Sequence, residues 1–505
     1  MTIFWLVILL LAGGGIAWLV GLARPDWSRW VSIVTLMIGG VLIYRIWTAG
    51  ASVQGPGDVE WYAQVMFPWI PRFGISVFMA MDGLSLLLVA LTLFLGIVAV
   101  VSSWTEITER GGFFQFNILW TLAGVVGVFT SFDLFLFFFF WEVMLIPMYF
   151  LIAIWGHEDR SYAAMKFFLF TQISGLVMLL AIVGLVYVHY DASGGITFNY
   201  YELLGSESAA GNLAFWLMLG FFLAFVVKLP SVPFHTWLPD AHTQAPTGGS
   251  VILAGILLKT GAYGLIRFVV PLFPESAMQF RWPAMLLGAL SVVYGGYMAY
   301  SQSDFKRLVA YSSVAHMGFV LLGVFVWNQL AVQGAVMQMI AHGLSTAALF
   351  MMAGAIQERI HTREMGSMGG LWMRAPRMGA VAMFFVVASL GMPGLGNFVG
   401  EFMVLLGAFQ VDVPLTFFAA LGLVVAAVYA LSLMKRTVQW HPGQRGEATG
   451  GAVEGTTTFA DFGFREMSVM VLMMIGLVWL GIYPRPVLEI SGPVVEGLRV
   501  IGAMP

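Results

Sequence analysis

Apolar runs of about 20 residues recur along the whole chain, and a helix of this length spans the hydrocarbon core of a bilayer. Only 10% of the residues are charged and 60% are hydrophobic, whereas soluble domains carry about 25% charged residues. The pattern therefore predicts an all-α polytopic membrane protein with about 14 transmembrane helices. The predicted spans lie near 3–22, 30–49, 77–103, 113–131, 134–155, 164–188, 212–234, 248–272, 283–301, 309–326, 331–356, 378–407, 413–434 and 466–484.

Several classes of function are excluded by the composition. The formal net charge of −3 leaves no basic surface for nucleic acid. The absence of cysteine rules out disulfides, iron–sulfur ligation and thiolate metal sites on this chain. Neither a Gly-x-Gly-x-x-Gly turn after a soluble strand nor a Walker-type loop occurs, which argues against direct nucleotide binding.

The distribution of basic residues predicts the orientation of the spans. If the N-terminus lies outside, most of the 23 lysines and arginines fall in inner loops and at inner helix ends, as the positive-inside rule requires. We therefore expect an even number of spans and both termini outside. The first apolar run exceeds a signal-peptide core and is predicted to be an uncleaved span. The polar interval 191–211 is predicted outside, and the Gly- and Thr-rich interval 439–464 is predicted to be a flexible inner loop.

The stretch 225–264 places two lysines at membrane depth around a segment that cannot be a continuous helix. Lys228 precedes two prolines, and Lys259 follows a Pro-Thr-Gly-Gly sequence. An ionisable group in the hydrocarbon costs about 3 kcal/mol or more, so it indicates function by default.

An internal duplication is indicated by two similar helices. Residues 166–179 resemble 337–350 in their order of bulky, polar and small side chains, and each helix precedes one interrupted by Pro or Gly. Each interrupted helix carries one ionisable residue, Lys228 or Glu401. Five spans between the copies would invert them across the membrane, and paired broken helices in inverted repeats indicate a transport site. The expected regions are three N-terminal helices (1–110), a first five-helix repeat (111–272), a second inverted repeat (280–436), and an inner loop with the last span (437–505).

Four charged residues are expected at membrane depth: Glu142, Lys228, Lys259 and Glu401. If Glu142 faces Lys228, each side chain preserves the charge of the other and the pair titrates as a unit. The alternative is an ion pair that only joins two helices. Arginine would serve such a static bridge at least as well, whereas a buried lysine exchanges its proton more readily.

Histidines add titratable steps. His316 and His342 lie within spans, and His235 and His242 follow the broken helix, where they would line a water-filled path from inside. A buried histidine is often only a packing group, but together with the lysines these residues could form a proton relay. A metal site is not indicated, because ligand-spaced His or carboxylate pairs are lacking. Asp82, at the start of a span, is expected to cap its helix.

Long segments of the chain resemble a known family. FFFFWEVMLIPMYFLIAIWG, KLPSVPFHTWLPDAHTQAPTGGSVILAGILLKTGAYGLIRF, SDFKRLVAYSSVAHMGF, QMIAHGLSTAALF and GMPGLGNFVGEF are similar to antiporter-like subunits of respiratory complex I. The resemblance covers roughly 68–436 and extends to subunits of multi-component cation/proton antiporters. Within the family, Glu401 in place of a lysine, and a chain that ends soon after the last span, resemble the M-type branch of bacterial NADH–quinone oxidoreductase.

The resemblance implies a proton channel in each half, joined by a central hydrophilic axis. It implies that Glu142 pairs with Lys228, that Lys259 connects the halves, that His316 and His342 relay protons, and that Glu401 is the outlet. It also implies a multi-pass protein of the bacterial inner membrane with periplasmic termini. The implied partners are the lipid bilayer, protons, water and other membrane-arm subunits, including two further antiporter-like ones.

The expected function is proton translocation coupled to electron transfer from NADH to quinone, with no substrate chemistry on this chain. We expect no cofactor on this chain, and the resemblance places flavin and iron–sulfur clusters on other subunits. A cation/proton antiporter subunit that needs no electron-transfer partner is the alternative, and a structural scaffold between neighbouring pumps is a third possibility.

Overall fold

The structure, a computed structural model, describes residues 1–51, 53–54, 60–439 and 460–500. Helices dominate because, in a bilayer, each backbone N–H and C=O must be bonded within its own segment. The first helices are α1 (Thr2–Ala23), α2 (Pro25–Ala49), α3 (Gly83–Ser102), α4 (Gly111–Thr130), α5 (Leu134–Val143), α6 (Leu145–Trp155) and α7 (Arg160–Ser193). The middle of the chain forms α8 (Tyr200–Leu203), α9 (Glu207–Ala210), α10 (Asn212–Lys228), α11 (Trp237–Gln244), α12 (Thr247–Ile252), α13 (Leu258–Gly264), α14 (Val270–Leu272) and α15 (Pro274–Gln279).

The C-terminal half continues the same architecture. Its helices are α16 (Arg281–Tyr300), α17 (Phe305–Phe325), α18 (Gln329–Ile360), α19 (Leu371–Arg374), α20 (Pro376–Ser389), α21 (Gly396–Phe409), α22 (Val413–Met434), α23 (Phe464–Ile482) and α24 (Arg485–Val500). Short 3-10 helices cover Pro71–Phe73 and Met365–Ser367, and π-helical segments cover Leu253–Leu257, Leu265–Val269 and Lys435–Gln439.

Twelve helices of the described residues are long and apolar enough to cross a membrane. The first two π-helical segments, Leu253–Leu257 and Leu265–Val269, join α12, α13 and α14 into one span, Thr247–Leu272, which is buried throughout. Of the two remaining predicted spans, 212–234 holds the shorter helix α10 and ends in turns, and 378–407 is divided into α20 and α21. The predicted helix breaks, and the all-α membrane fold, are therefore confirmed.

One predicted span, 134–155, is divided at Met144 into α5 and α6. Pro147 explains the division, since it has no N–H to donate to the carbonyl of the residue four before it. Glu142 lies directly before this break.

A β-hairpin replaces the beginning of the span predicted at 77–103. β3 (Ala63–Ile70) pairs with β4 (Ile75–Met81) in antiparallel register. The chain reverses at Gly74, whose φ of 65° suits glycine. The helix starts only after Asp82, which accepts a hydrogen bond from the Ser85 N–H at 2.9 Å and caps α3 as predicted. The sequence analysis was wrong for 77–81, and it also missed the shorter pair β1 (Val53–Gln54) and β2 (Glu60–Trp61).

The end of the bundle that holds β3 and β4 is called the hairpin end below. α24, which the sequence analysis did not predict, follows the last span and packs against α3 and α18 at this end. The contact is close, because a side chain on Gly83 would collide with the carbonyl oxygen of Ile490. Most of the predicted inner loop, residues 440–459, lies outside the described residues.

Candidate proton-transfer site

α10 ends at Lys228 in the interior of the bundle, where its last carbonyl groups need partners other than water. The Trp237 indole N–H donates to the carbonyl oxygen of Val227 at 2.8 Å. Within the break, between α10 and α11, the Val232 N–H donates to the Ser291 hydroxyl at 3.0 Å. These side chains satisfy backbone groups that a continuous helix would have satisfied itself.

The Lys228 ammonium is held by aromatic rings rather than by hydrogen bonds. Its side chain is 1% exposed. Its Nζ lies 4.8 Å from the centroid of the Trp141 ring and 5.9 Å from that of Phe167. Nζ has no hydrogen-bond partner among the described residues. Ring faces attract a desolvated cation, but they cannot accept its proton.

Glu142 interacts electrostatically with Lys228 without touching it. Among the ion pairs of the described residues, none joins these two side chains within 4.0 Å. Each nevertheless acts on the charge of the other, and Gln172 lies beside the carboxylate. Oε1 of Glu142 is buried against Gly175, where an added Cβ would lie 2.8 Å from it.

Lys259 begins a network of buried polar side chains through the centre of the bundle. Its Nζ lies 2.7 Å from Nδ1 of His342 and donates to the carbonyl oxygen of Ala254 at 2.5 Å. Ala254 belongs to the π-helical segment Leu253–Leu257, and such segments disturb the regular hydrogen-bond pattern, often at functional sites. Lys259 and His342 are both 0% exposed.

The network continues from His342 to the second broken helix. The rings of His342 and His316 have centroids 5.6 Å apart, and Nε2 of His342 has no hydrogen-bond partner among the described residues, so the two histidines are neighbours that no direct hydrogen bond joins. Nδ1 of His316 lies 2.7 Å from Oε1 of Glu401, which is 2% exposed. The structure thus brings together four of the predicted site residues, Lys259, His342, His316 and Glu401, across four helices.

Sequence reasoning missed three partners of this network. Nε2 of Gln338 donates to Oε1 of Glu401 at 2.8 Å. The hydroxyls of Ser389 and Tyr429 lie 3.2 Å and 3.1 Å from Nε2 of His316. A signal for Gln338 was present, because it precedes His342 by four residues and therefore shares its helix face.

Glycines place Glu401 beside these partners. Gly391 and Gly394 have φ values of 79° and 92° between α20 and α21, a conformation that favours glycine. Gly400 lets α21 approach α18 closely, since an added Cβ would lie 2.7 Å from the Gln338 backbone nitrogen. The break and the close approach together aim the carboxylate at His316.

The remaining predicted histidines lie outside the network. His235 is edge-on to Tyr294 and Tyr311, at centroid distances of 5.3 Å and 6.2 Å. The His242 ring stacks on Phe350 at 4.3 Å, and neither ring nitrogen has a hydrogen-bond partner among the described residues. His242 does interact electrostatically with Lys259 on one side and Lys306 on the other.

Lys306 stands at a helix end, the second residue of α17, and the sequence analysis counted it with the charges of inner loops and helix ends without expecting it to be buried. It is 0% exposed, because α17 begins at Phe305, earlier than predicted. Nζ donates to the carbonyl oxygen of Ala245 at 3.2 Å and lies 3.4 Å from Nε2 of His157. The Glu106 carboxylate accepts the Thr247 N–H at 3.0 Å. The gap between α11 and α12 is thus held by a cation on one side and an anion on the other, as the helix dipoles favour.

Two groups in loops of this region have shifted pKa values. Burial, followed by the charges of Lys306 and Arg363, lowers the pKa of His157 to about 3. Burial raises the pKa of Glu106, although Lys306 opposes the shift.

Arg267 adds to the sequence analysis, which counted it with the outward-side charges of the predicted span 248–272 and not among the residues at membrane depth. It lies inside the span Thr247–Leu272, is 5% exposed and forms an ion pair with Asp82. Membrane depth therefore holds more charge than the four predicted residues. Among the described residues, no group of three or more His, Asp or Glu side chains could hold a metal ion.

Comparisons with known proteins show the family of this chain. The family described as NADH:quinone oxidoreductase/Mrp antiporter, TM, matches residues 131–427, more than half of the chain. NADH-quinone oxidoreductase subunit M of Pseudomonas aeruginosa is 51% identical over 99% of this chain and 97% of that protein. A chain of respiratory complex I from Thermus thermophilus with bound NADH superposes with a TM-score of 0.85 at 30% identity, over 99% of this chain and 100% of that one.

A chain of the Mrp complex from Dietzia sp. has the same fold, with a TM-score of 0.83 at 21% identity over 99% of this chain and 52% of that one. The predicted resemblance is confirmed. The chain belongs to the NADH:quinone oxidoreductase/Mrp antiporter family of transmembrane proteins.

Proposed function

We propose that this chain is a proton-translocating membrane-arm subunit of a bacterial NADH–quinone oxidoreductase and performs no chemistry on NADH or quinone itself. The observation that carries the proposal is the buried network from Lys259 through His342 and His316 to Glu401. Histidine can take up a proton on one nitrogen and release one from the other, so a row of these groups can pass protons along. Burying such a row inside an apolar bundle costs free energy, so its presence indicates a function.

The proposed driving step is a change in the distance between Glu142 and Lys228. When the carboxylate moves away, Lys228 loses its counter-charge and releases its proton toward Lys259. Moving one charge against about 100 mV costs about 2.3 kcal/mol. A change of two pKa units corresponds to about 2.7 kcal/mol, so switching this pair supplies free energy of the required size.

The two halves take different parts in this mechanism. The region 111–272 would form the first half-channel around Lys228, and the inverted region 280–436 would form the second, with Glu401 as the outlet to the periplasm. His235 would lie on the water-filled path from inside. The three N-terminal helices (1–110) and the last span (437–505) would support both halves.

The protein would lie in the inner membrane with both termini in the periplasm. Its partners would be the lipid bilayer and the other membrane-arm subunits, among them two further antiporter-like subunits. Flavin and iron–sulfur clusters would belong to other subunits, since this chain has no cysteine.

The test replaces the charged residues in the intact complex. Lys228→Ala and Glu401→Ala should each strongly reduce proton pumping in membrane vesicles while the complex still assembles and oxidises NADH. Lys435→Ala, at an exposed position away from the network, is the matched control and should pump normally. Full pumping in both test variants would contradict the proposal.

A cation/proton antiporter subunit is the second candidate, because the family description includes Mrp antiporters and the Dietzia structure shares the fold. The native complex separates the two functions: flavin and iron–sulfur clusters in the purified assembly favour the oxidoreductase, and their absence favours the antiporter. If charge-removing substitutions leave both pumping and cation exchange intact, the chain is a scaffold.

A further inference from the structure

The ion pair between Asp82 and Arg267 lies deep in the hairpin end of the bundle. The two side chains are 0% and 6% exposed. Asp82 is fixed to the backbone, since it also caps α3 through the Ser85 N–H. A buried ion pair often stabilises a fold no better than apolar residues would. Stability therefore does not explain why this ion pair is buried here, which points to a functional role.

Arg267 occupies the same helical span as Lys259 and points along a row of hydroxyl groups. Lys259, Tyr263 and Arg267 are spaced four residues apart, which places neighbours on one helix face. The guanidinium lies 5.4 Å from the centroid of the Tyr263 ring. The Tyr263 hydroxyl lies 3.5 Å from that of Ser85. Tyr200, nearer the hairpin end, also interacts electrostatically with Arg267.

Tyr263 and Ser85 therefore place two hydroxyl groups between the helical turn of Lys259 and the Asp82–Arg267 pair. Tyrosine and serine hydroxyls both donate and accept hydrogen bonds, so with water they can pass a proton. A guanidinium remains protonated in proteins and accepts no hydrogen bond. Its fixed positive charge also repels a proton in a narrow polar path, as an arginine does in other membrane pores.

We propose that the Asp82–Arg267 pair closes an outward branch that starts at Lys259. The proton on Lys259 then leaves only through His342, into the second half of the protein. Asp82 holds the guanidinium across the row of hydroxyls, and Arg267 keeps the Asp82 carboxylate from accepting protons. Arg267 is a positioning residue for the proton path, and this inference rests on the proposed function of Lys259.

The test measures passive proton flow through the intact complex in membrane vesicles without NADH. A pH gradient is imposed, and its decay is followed with a pH-sensitive dye. Arg267→Met removes the guanidinium and frees Asp82 to carry protons, so decay through the complex should become about tenfold faster, the scale expected for one unit charge beside the path. Arg267→Lys retains a cation and should remain close to the unchanged protein. NADH–quinone activity verifies assembly.

Arg267→Gln is the second variant if Arg267→Met does not assemble, because its amide can still donate a hydrogen bond to Asp82 while the positive charge is removed. It should also accelerate the decay. Glu207→Gln is the matched control, since Glu207 is a buried carboxylate of the same end that binds Ser276 and has no part in this row. Glu207→Gln should leave the decay unchanged.

Combining Lys259→Met with Arg267→Met should return the decay to its original rate, because the branch starts at Lys259. Unchanged decay in both Arg267→Met and Arg267→Gln would overturn the inference. Fast decay that persists without Lys259 would also overturn it, since the pair would then only seal the packing. Failure of the proposed function is a separate result, namely full pumping in Lys228→Ala and Glu401→Ala.

Discussion

Gln338 offers a direct test of the outlet, because it supports Glu401 without carrying a proton itself. Its amide donates to Oε1 of Glu401 at 2.8 Å, inside a fully buried site. A hydrogen bond to a charged group contributes about 1.5–3 kcal/mol. Gln338→Met should remove this bond and keep the volume. The Gln338 carbonyl oxygen has no partner among the described residues, so the substitution leaves no new acceptor unpaired there.

A loss of about 2 kcal/mol from the ionised carboxylate should slow proton release from Glu401 about thirtyfold. Proton pumping by Gln338→Met is measured in membrane vesicles with a pH-sensitive dye, beside NADH oxidation in the same vesicles. Pumping should fall well below that of the control Gln333→Met, which makes the same change five residues earlier on α18. Pumping equal to that of Gln333→Met would refute the assigned role of this hydrogen bond.

Three further predictions concern the surroundings of the network. His157 has a pKa of about 3 in the folded state against 6.5 as its ordinary value. The unfolded state alone therefore binds a proton as pH falls from 6.5 to 5. Acidification should cost up to about 2 kcal/mol of stability, and thermal unfolding of the complex should show a smaller loss in His157→Gln. Gly175→Ala should displace the Glu142 carboxylate and reduce pumping, whereas Gly184→Ala on the same helix meets only a leucine side chain and should pump normally. Ser291→Ala should lower the thermal midpoint, because the partly buried N–H of Val232 at the helix break loses its acceptor, at a cost of about 1 kcal/mol; an unchanged midpoint would show that water replaces the hydroxyl.

Much of the site could be predicted because its charged residues stand in apolar stretches of the sequence, where charges are rare. Lys228, Lys259 and Glu401 are charges in apolar runs, and each broken helix contains Pro or Gly. The distinction failed for Lys306 and Arg267, which stand near the ends of apolar runs. α17 begins earlier than predicted and so includes Lys306. Arg267 lies in a span with nearly the predicted bounds, and its burial depends on the ion pair with Asp82 and on the neighbouring helices.

The sequence by itself determined the membrane location, the two interrupted helices and the charged residues within apolar runs, because apolar length, isolated charges and Pro or Gly breaks are local properties of the chain. The tertiary structure decided which of these charges meet. Lys259 contacts His342, and Glu401 contacts His316. Lys228 instead faces aromatic rings and interacts with Glu142 only electrostatically. These pairs are 83, 85 and 86 residues apart in the chain. Contacts over such separations depend on how helices cross, on glycines such as Gly400, and on breaks that turn a side chain inward. No local pattern encodes them.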